Sequence, residues 1–156
     1  MNQLFFRVKI EEEIKQKKFT SVRQKAHLNI LFTANWLVDK IKEILKPFDL
    51  THQQYNVLRI LKGRFPESCA AYDIREVMID KGPDLTRLID RLILKEYVTR
   101  SECKENRRKL DITITSKGLG LIKKIEPQLK NQMKDQAKIT NKEADVLSRI
   151  LDKMRG

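Results

Sequence analysis

The sequence has little from which to build a reactive centre. Its two cysteines, Cys69 and Cys103, cannot make a disulfide framework, and free thiols are the default in a reducing compartment. Its two histidines, His27 and His52, lie far apart in the chain, and neither joins a cysteine or carboxylate at metal-ligand spacing. There is no HExxH and no glycine-rich phosphate loop. Glu11, Glu12 and Glu13 form a run that reads as solvated charge, not as an acid/base pair. With no nucleophile, base or metal constellation, the residues argue against an enzyme and imply no cofactor and no metal. No apolar run approaches membrane-spanning length, and Met1-Asn2-Gln3 does not lead into a signal-peptide pattern, so a cytoplasmic protein is expected. No internal repeat or low-complexity segment is visible.

What the chain does have is positive charge. Lys and Arg number 33 against 21 Asp and Glu, a formal +12 over 156 residues, which favours a polyanionic partner. The charge acquires a pattern between Lys81 and Thr115. Gly82 can cap a helix, Pro83 suits its first position, and Asp84 suits the positive end of its dipole. Leu85, Leu88, Ile89 and Leu92 then recur at helical spacing and define one buried stripe. At about 100° per residue, Thr86, Arg87, Asp90 and Arg91 fall on the opposite side, together with an out-of-place Leu94. An arginine pair four residues apart is by itself an ordinary solvated face.

The following residues change that reading. Val98 to Cys103 and Leu110 to Thr115 are predicted as a β-hairpin, with Leu110, Ile112 and Ile114 inward and Asp111 and Thr113 outward. Between them Lys104, Arg107, Arg108 and Lys109 crowd a loop tip with nothing apolar to explain them as packing. A hairpin that only had to fold would carry Asn-Gly or a similar pair, so phosphate is the natural partner of this tip. The helix face is placed to meet base edges, and the tip to meet phosphate or a minor groove.

These residues resemble the MarR family of winged helix-turn-helix bacterial transcription regulators. The resemblance is carried by DLTRLIDRL in the helix, VTR at its exit and NRRKLDITITSKG across the hairpin. The family's wing pattern, Asp-x-Arg, apolar alternation and Leu-Thr-x-x-Gly, is matched by Asn106-x-Arg108, Ile112-Thr113-Ile114-Thr115 and Gly118. Asn106 departs from the usual Asp, so a salt bridge there is reduced to a hydrogen bond. Glu96 stands where the family commonly has Gly, which strains the backbone if it is left-handed. The resemblance spans residues 28 to 155. It implies a mainly α fold with a small β-hairpin wing, a homodimer built from both chain ends, and double-stranded DNA as partner. It also implies small aromatic or phenolic anions as effectors.

Read in order, the chain begins with an apolar arm, residues 1 to 18, expected to hold a helical turn or two against another subunit. Ser21 with Gln24 offers a capping box for a helix that ends before Pro47. Thr51 with Gln54 repeats the signal for a helix stopped by Gly63. A loop from Arg64 to Ala71 leads to a short, poorly capped helix, Tyr72 to Ile79, whose apolar side is Ile74, Val77 and Met78. Asp80, Lys81 and Gly82 then turn into the arginine-bearing helix. Helix, turn, helix and hairpin is the winged helix-turn-helix order. After the wing a long helix carries Leu119, Ile122, Ile125, Leu129 and Met133, with Pro127 expected to kink it. Thr140 with Glu143 starts the last helix. The expected division is an arm and dimerisation helix (1–47), a DNA-binding region (48–115) and dimerisation helices (116–156) within one structural domain.

Two further sets of residues stay open. The simpler account of Trp36 and Tyr55 is two core aromatics; the alternative places them in an effector pocket. Cys69, in a loop, and Cys103, beside the basic tip, could be redox-sensitive if nearby cations lower their pKa, although no cysteine stands near the first helix, where some relatives of the family sense oxidants. The functional reading is a homodimeric, ligand-responsive repressor on a pseudo-palindromic operator. Its rival is a winged-helix module for protein contacts or non-specific nucleic-acid packaging.

Overall fold

A computed structural model describes residues 8–82, 84–102, 110–136 and 139–156, with no side-chain description at 135 and 136. The chain forms two compact units, one up to His52 and one from Gln53 onward.

In the first unit, α1 (Ile10–Glu13) and α2 (Val22–Leu45) are followed by a 3-10 turn, Lys46–Phe48. The helical turn expected in the arm is present at α1, where Ile10 is buried. Glu11 is not simply solvated charge, because it pairs with Lys25 of α2, whose ammonium also lies 5.9 Å from the Phe19 ring centroid. That hydrogen bond holds the Glu11 carboxyl below the usual carboxylate range. Ser21 caps α2 by accepting from the Gln24 amide at 3.1 Å. The reciprocal half of the expected box is displaced by one residue: the Gln24 side chain accepts from the Thr20 amide at 2.7 Å. The helix stops before Pro47, as its sequence predicts. Leu45 is the one buried residue of its 24, and Val22, Leu31, Trp36 and Leu37 stay exposed.

The second unit comprises α3 (His52–Arg64), β1 (Cys69–Ala70), α4 (Ala71–Val77), α5 (Leu85–Leu94), β2 (Val98–Glu102), β3 (Leu110–Ile114), α6 (Ser116–Gln136) and α7 (Asn141–Arg155), α3 taking its first residue from the unit before. The expected mainly helical fold with a hairpin holds, and a third strand is added to it. β1 pairs antiparallel with β3, Cys69 opposite Ile112, so the sheet order is β1-β3-β2. β2 meets β3 from Val98↔Ile114 to Glu102↔Leu110. Val57, Leu58 and Leu61 of α3, Ile74 of α4, Leu92 of α5, Val98, Ile112 and Ile114 of the sheet, and Ile122 and Ile125 of α6 are buried as the core.

Several local expectations are corrected. Gly63 does not stop α3, which closes its last turn at Arg64. Cys69 lies in a strand and not a loop. Val77 is exposed, leaving Ile74 and Met78 to anchor α4, which lacks a side-chain cap as Ala70 and Ala71 foretell. Leu110 is exposed at the outer end of β3, while Ile112 and Ile114 point inward as read. α6 runs from Ser116 to Gln136 with Pro127 inside it, burying Ile122, Ile125 and Leu129 but leaving Met133 exposed. At α7 the full capping box forms, with Thr140 Oγ1 accepting from the Glu143 amide and the Glu143 carboxylate accepting from the Thr140 amide.

Candidate nucleic-acid interface

α5 is fixed at its start by Asp84, which is the N-cap itself: its carboxylate accepts from the Arg87 amide at 3.3 Å. The expected cap at Gly82 is therefore displaced by two residues, and Pro83 lies outside the described residues. Asp is among the strongest N-cap residues because a short carboxylate satisfies an amide that the helix leaves unbonded. The helix then divides as its pattern predicts. Leu85, Leu88, Ile89 and Leu92 are buried, while Thr86, Arg87 and Arg91 are exposed and Asp90 is half-buried. Leu94 shares the outer side and is 83% exposed.

The outer face is not uniformly cationic. Arg87 Nε lies 3.4 Å from Asp84 Oδ2, an exposed pair that solvent screens. Asp90 accepts from Arg100 of β2 at 2.9 Å, fastening the middle of α5 to the base of the wing. The sequence marks Arg100 only as part of VTR and gives no sign of this pairing. Ten positions separate it from Asp90, no local periodicity relates them, and the pairing arises only when β2 folds back along α5.

The exit of α5 is built as tightly as its entrance. Glu96 takes a left-handed backbone, φ 60°, where the family commonly has Gly. Thr115 Oγ1 donates to the Glu96 carbonyl at 2.8 Å, and Lys117 Nζ pairs with Glu96 Oε2 at 2.5 Å. The Lys117 hydrogen bond and charge hold the Glu96 carboxyl below its usual range. The Tyr97 amide donates to the Leu92 carbonyl at 3.0 Å and the Thr115 amide to the Tyr97 carbonyl at 3.0 Å. Gly118 is required here by contact and not by dihedral: a Cβ at this position would sit 2.3 Å from the Tyr97 carbonyl oxygen and 2.8 Å from Ile114 Cγ1.

Lys104, Arg107, Arg108 and Lys109, with Asn106 and Cys103, lie outside the described residues. The paired strand ends Glu102 and Leu110 flank that segment. Trp36 and Tyr55 fall in different units. Tyr55 is a core aromatic, 8% exposed, and its phenol is pushed up by burial and then by Glu126, with Arg59 opposing. Trp36 is 42% exposed, so the core reading fails for it. Cys69 is buried, and desolvation followed by the Asp73 charge pushes its thiol up, opposite to what a reactive thiolate needs. Among the described residues no group of His, Cys, Asp and Glu could hold a metal ion, and no helix is long and apolar enough to cross a membrane.

Comparison with known proteins converges on one family. The model of the MarR family matches residues 50–110, from the start of α3 through the wing to β3. The HTH-type transcriptional regulator SarZ of Staphylococcus haemolyticus is 33% identical over 98 residues, which are 63% of this chain and 63% of that protein. The chain spans between 52% and 63% of the length of the curated regulators it matches. Among solved structures, BpsR of Bordetella bronchiseptica is 22% identical with a TM-score of 0.74, covering 88% of this chain and 97% of that one, which speaks for the fold. A MarR transcription factor from Planctomyces limnophilus is 34% identical with a TM-score of 0.67, and the match covers 88% of this chain and 98% of that one. Identity of that level, held across nearly all of a solved chain and not only the segment that the family model matches, decides the assignment: the chain belongs to the MarR family of winged helix-turn-helix transcription regulators.

Proposed function

We propose that the chain is a sequence-specific, double-stranded-DNA-binding transcription regulator, non-enzymatic and cytoplasmic, acting as a homodimer on a pseudo-palindromic operator. One observation carries this reading. α5 buries every apolar residue of its inner stripe and holds Thr86, Arg87 and Arg91 exposed on the other side, beside a hairpin tied to it through Asp90 and Arg100. A helix so presented can enter a major groove while the wing follows the backbone. Thr86, Arg87, Asp90 and Arg91 are the residues proposed to face bases, and Lys104, Arg107, Arg108 and Lys109 to meet phosphate or a minor groove. In this reading residues 48–115 bind DNA, while 1–47 and 116–156 join two copies.

Selection of bound sequences from random duplex DNA tests the proposal. A recovered pseudo-palindrome supports it; no enrichment favours non-specific packaging, to which a formal charge of +12 is equally suited. Arg87→Ala or Arg91→Ala should cost about 1–3 kcal/mol of discrimination and relax the preference at a particular base pair. Arg108→Ala should weaken preferred and scrambled duplexes alike. It should also make the slope of log affinity against log salt shallower by roughly one per subunit.

The finer reading is a ligand-responsive repressor. Its support is similarity in fold to BpsR, whose DNA binding is regulated by 6-hydroxynicotinic acid; Trp36 and Tyr55, each taken by itself, are the residues proposed to contact a small aromatic or phenolic effector. Trp36 is the single tryptophan, so its fluorescence reports on binding directly. Saturable quenching by such an acid, with release of the selected duplex over the same concentrations, is the expected result. Quenching without release would remove the regulatory role.

A further inference from the structure

The turn that aims α5 is held from outside the helix-turn-helix pair. α4 is a poor anchor: it has seven residues, no side-chain N-cap, and Ile74 as its buried residue. The chain between it and α5 is fastened instead to α3. The Ile79 amide donates to Asn56 Oδ1 at 3.2 Å, and Asn56 is only 4% exposed. Gln53 Nε2 donates to Asp80 Oδ2 at 3.3 Å, while the other oxygen of the same carboxylate accepts from the Gly82 amide at 3.0 Å. Gln53 and Asn56 are three residues apart and so share one face of α3. They reach successive residues of the turn, and Asp80 passes the restraint on to Gly82, two residues before the Asp84 cap.

We propose that Asp80 and Asn56 are positioning residues for sequence discrimination, clamping the entry of α5 to α3 so that Arg87 and Arg91 arrive in register with base edges. The inference rests on the reading that α5 meets DNA. Its physical basis is tolerance: bidentate recognition of a base works only within about 0.5 Å of the right geometry, whereas phosphate attraction is long-ranged and forgiving. A loosened turn therefore removes the difference between preferred and random DNA before it removes binding.

Asp80 supplies the test because it is exposed and two substitutions separate its charge from its hydrogen bonds. Asp80→Ala and Asp80→Asn delete the same negative charge, so any general gain in affinity for DNA is common to both. Only Asn keeps an acceptor for the Gly82 amide and a partner for the Gln53 amide. With the duplex selected by the wild type, the ratio of preferred to scrambled affinity is expected to fall about tenfold in Asp80→Ala. It should stay within about twofold of wild type in Asp80→Asn. Gln53→Ala, which removes one bond, should fall in between. Equal ratios in wild type, Asp80→Ala and Asp80→Asn would overturn the inference, as would an equal fall in both variants, which would assign the effect to charge. If Arg87→Ala loses discrimination while Asp80→Ala keeps it, the inference fails and the DNA reading stands. If the wild type itself shows no preference, both fail.

Discussion

α5 and α7 carry the same kind of sequence and do opposite things with it. Both are amphipathic and both begin with a side-chain cap. The ten residues of α5 bury Leu85, Leu88, Ile89 and Leu92, whereas the fifteen of α7 bury none. Its Val146, Leu147, Ile150 and Met154 form a stripe at helical spacing and remain 45–53% exposed. Periodicity says that a helix has an apolar side, but not which surface covers it. For α5 the cover is its own unit, so its polar side is left for a ligand. For α7 the stripe is open in the single chain, and a contiguous apolar face of that kind marks an interaction surface. α2 repeats the α7 pattern with Val22, Leu31 and Leu37 exposed, which supports assigning both chain ends to a dimer.

The comparison is tested most severely by truncating one residue from each stripe. Leu92 is fully buried, so Leu92→Ala should cost about 2–5 kcal/mol. That loss should be independent of protein concentration between sub-micromolar and tens of micromolar chain in denaturant unfolding. Ile150→Glu should leave the unit containing α5 intact but place two charges in a symmetric interface. The dissociation constant of the dimer should then rise at least about 100-fold. Sedimentation of the wild type should show about twice 18.4 kDa at micromolar concentration, and of Ile150→Glu a monomer. A monomeric wild type would end the comparison, because the open stripe of α7 would then need another partner.

The contrast also explains what could be read without coordinates. The stripe of α5, the wing strands β2 and β3, the boundary of α2 at Pro47 and the capping box of α7 were all legible, because each depends on residues within a few positions of one another. β1 was not: Cys69 and Ala70 form two residues of strand, too few to show a period of two, and their pairing is set by β3. The α5 cap was misplaced because Gly82 and Pro83 fit a helix start, yet Asp84 has the side chain that bonds the Arg87 amide. Asp90 was assigned to the outer face without its partner, since Arg100 lies on another element. Asn56 gives no signal in the pattern of α3, and only the folded turn reveals that it is buried and engaged. Gly118 was legible as a family position, but its reason, the Tyr97 carbonyl against it, was not.

That carbonyl gives the next effect. Gly118→Ala forces a methyl to within 2.3 Å of backbone oxygen, which no rotamer relieves. The wing and α6 must move apart, at an expected cost of about 1–3 kcal/mol. Gly120, two residues on, has open space where its Cβ would stand. Gly120→Ala should be neutral or slightly stabilising, since Ala is the better helix former. Thermal unfolding of the two variants side by side separates contact from helix propensity, and equal melting temperatures would count against the contact.

The smallest effect comes from the other end of the same junction. Glu96 has a left-handed backbone, which disfavours a side chain, yet its carboxylate is paired with Lys117. Glu96→Gly relieves the first and loses the second. Near neutral pH the two oppose, and the melting temperature should rise by no more than roughly 1–3 °C. Acid separates them. Because the Glu96 carboxyl is held below its usual range in the folded chain, the stability it lends is present above its unfolded pKa, about 4.3, and is lost as pH falls through the lower folded value. The backbone strain does not titrate. Below that range wild-type Glu96 keeps the strain without the ion pair, so the advantage of Gly should widen as pH drops from 6 toward 3. Parallel melting curves of wild type and Glu96→Gly across that interval decide the matter. A constant difference would mean that the Lys117 pair contributes nothing, and no advantage for Gly at pH 3 would mean that the left-handed residue is not strained.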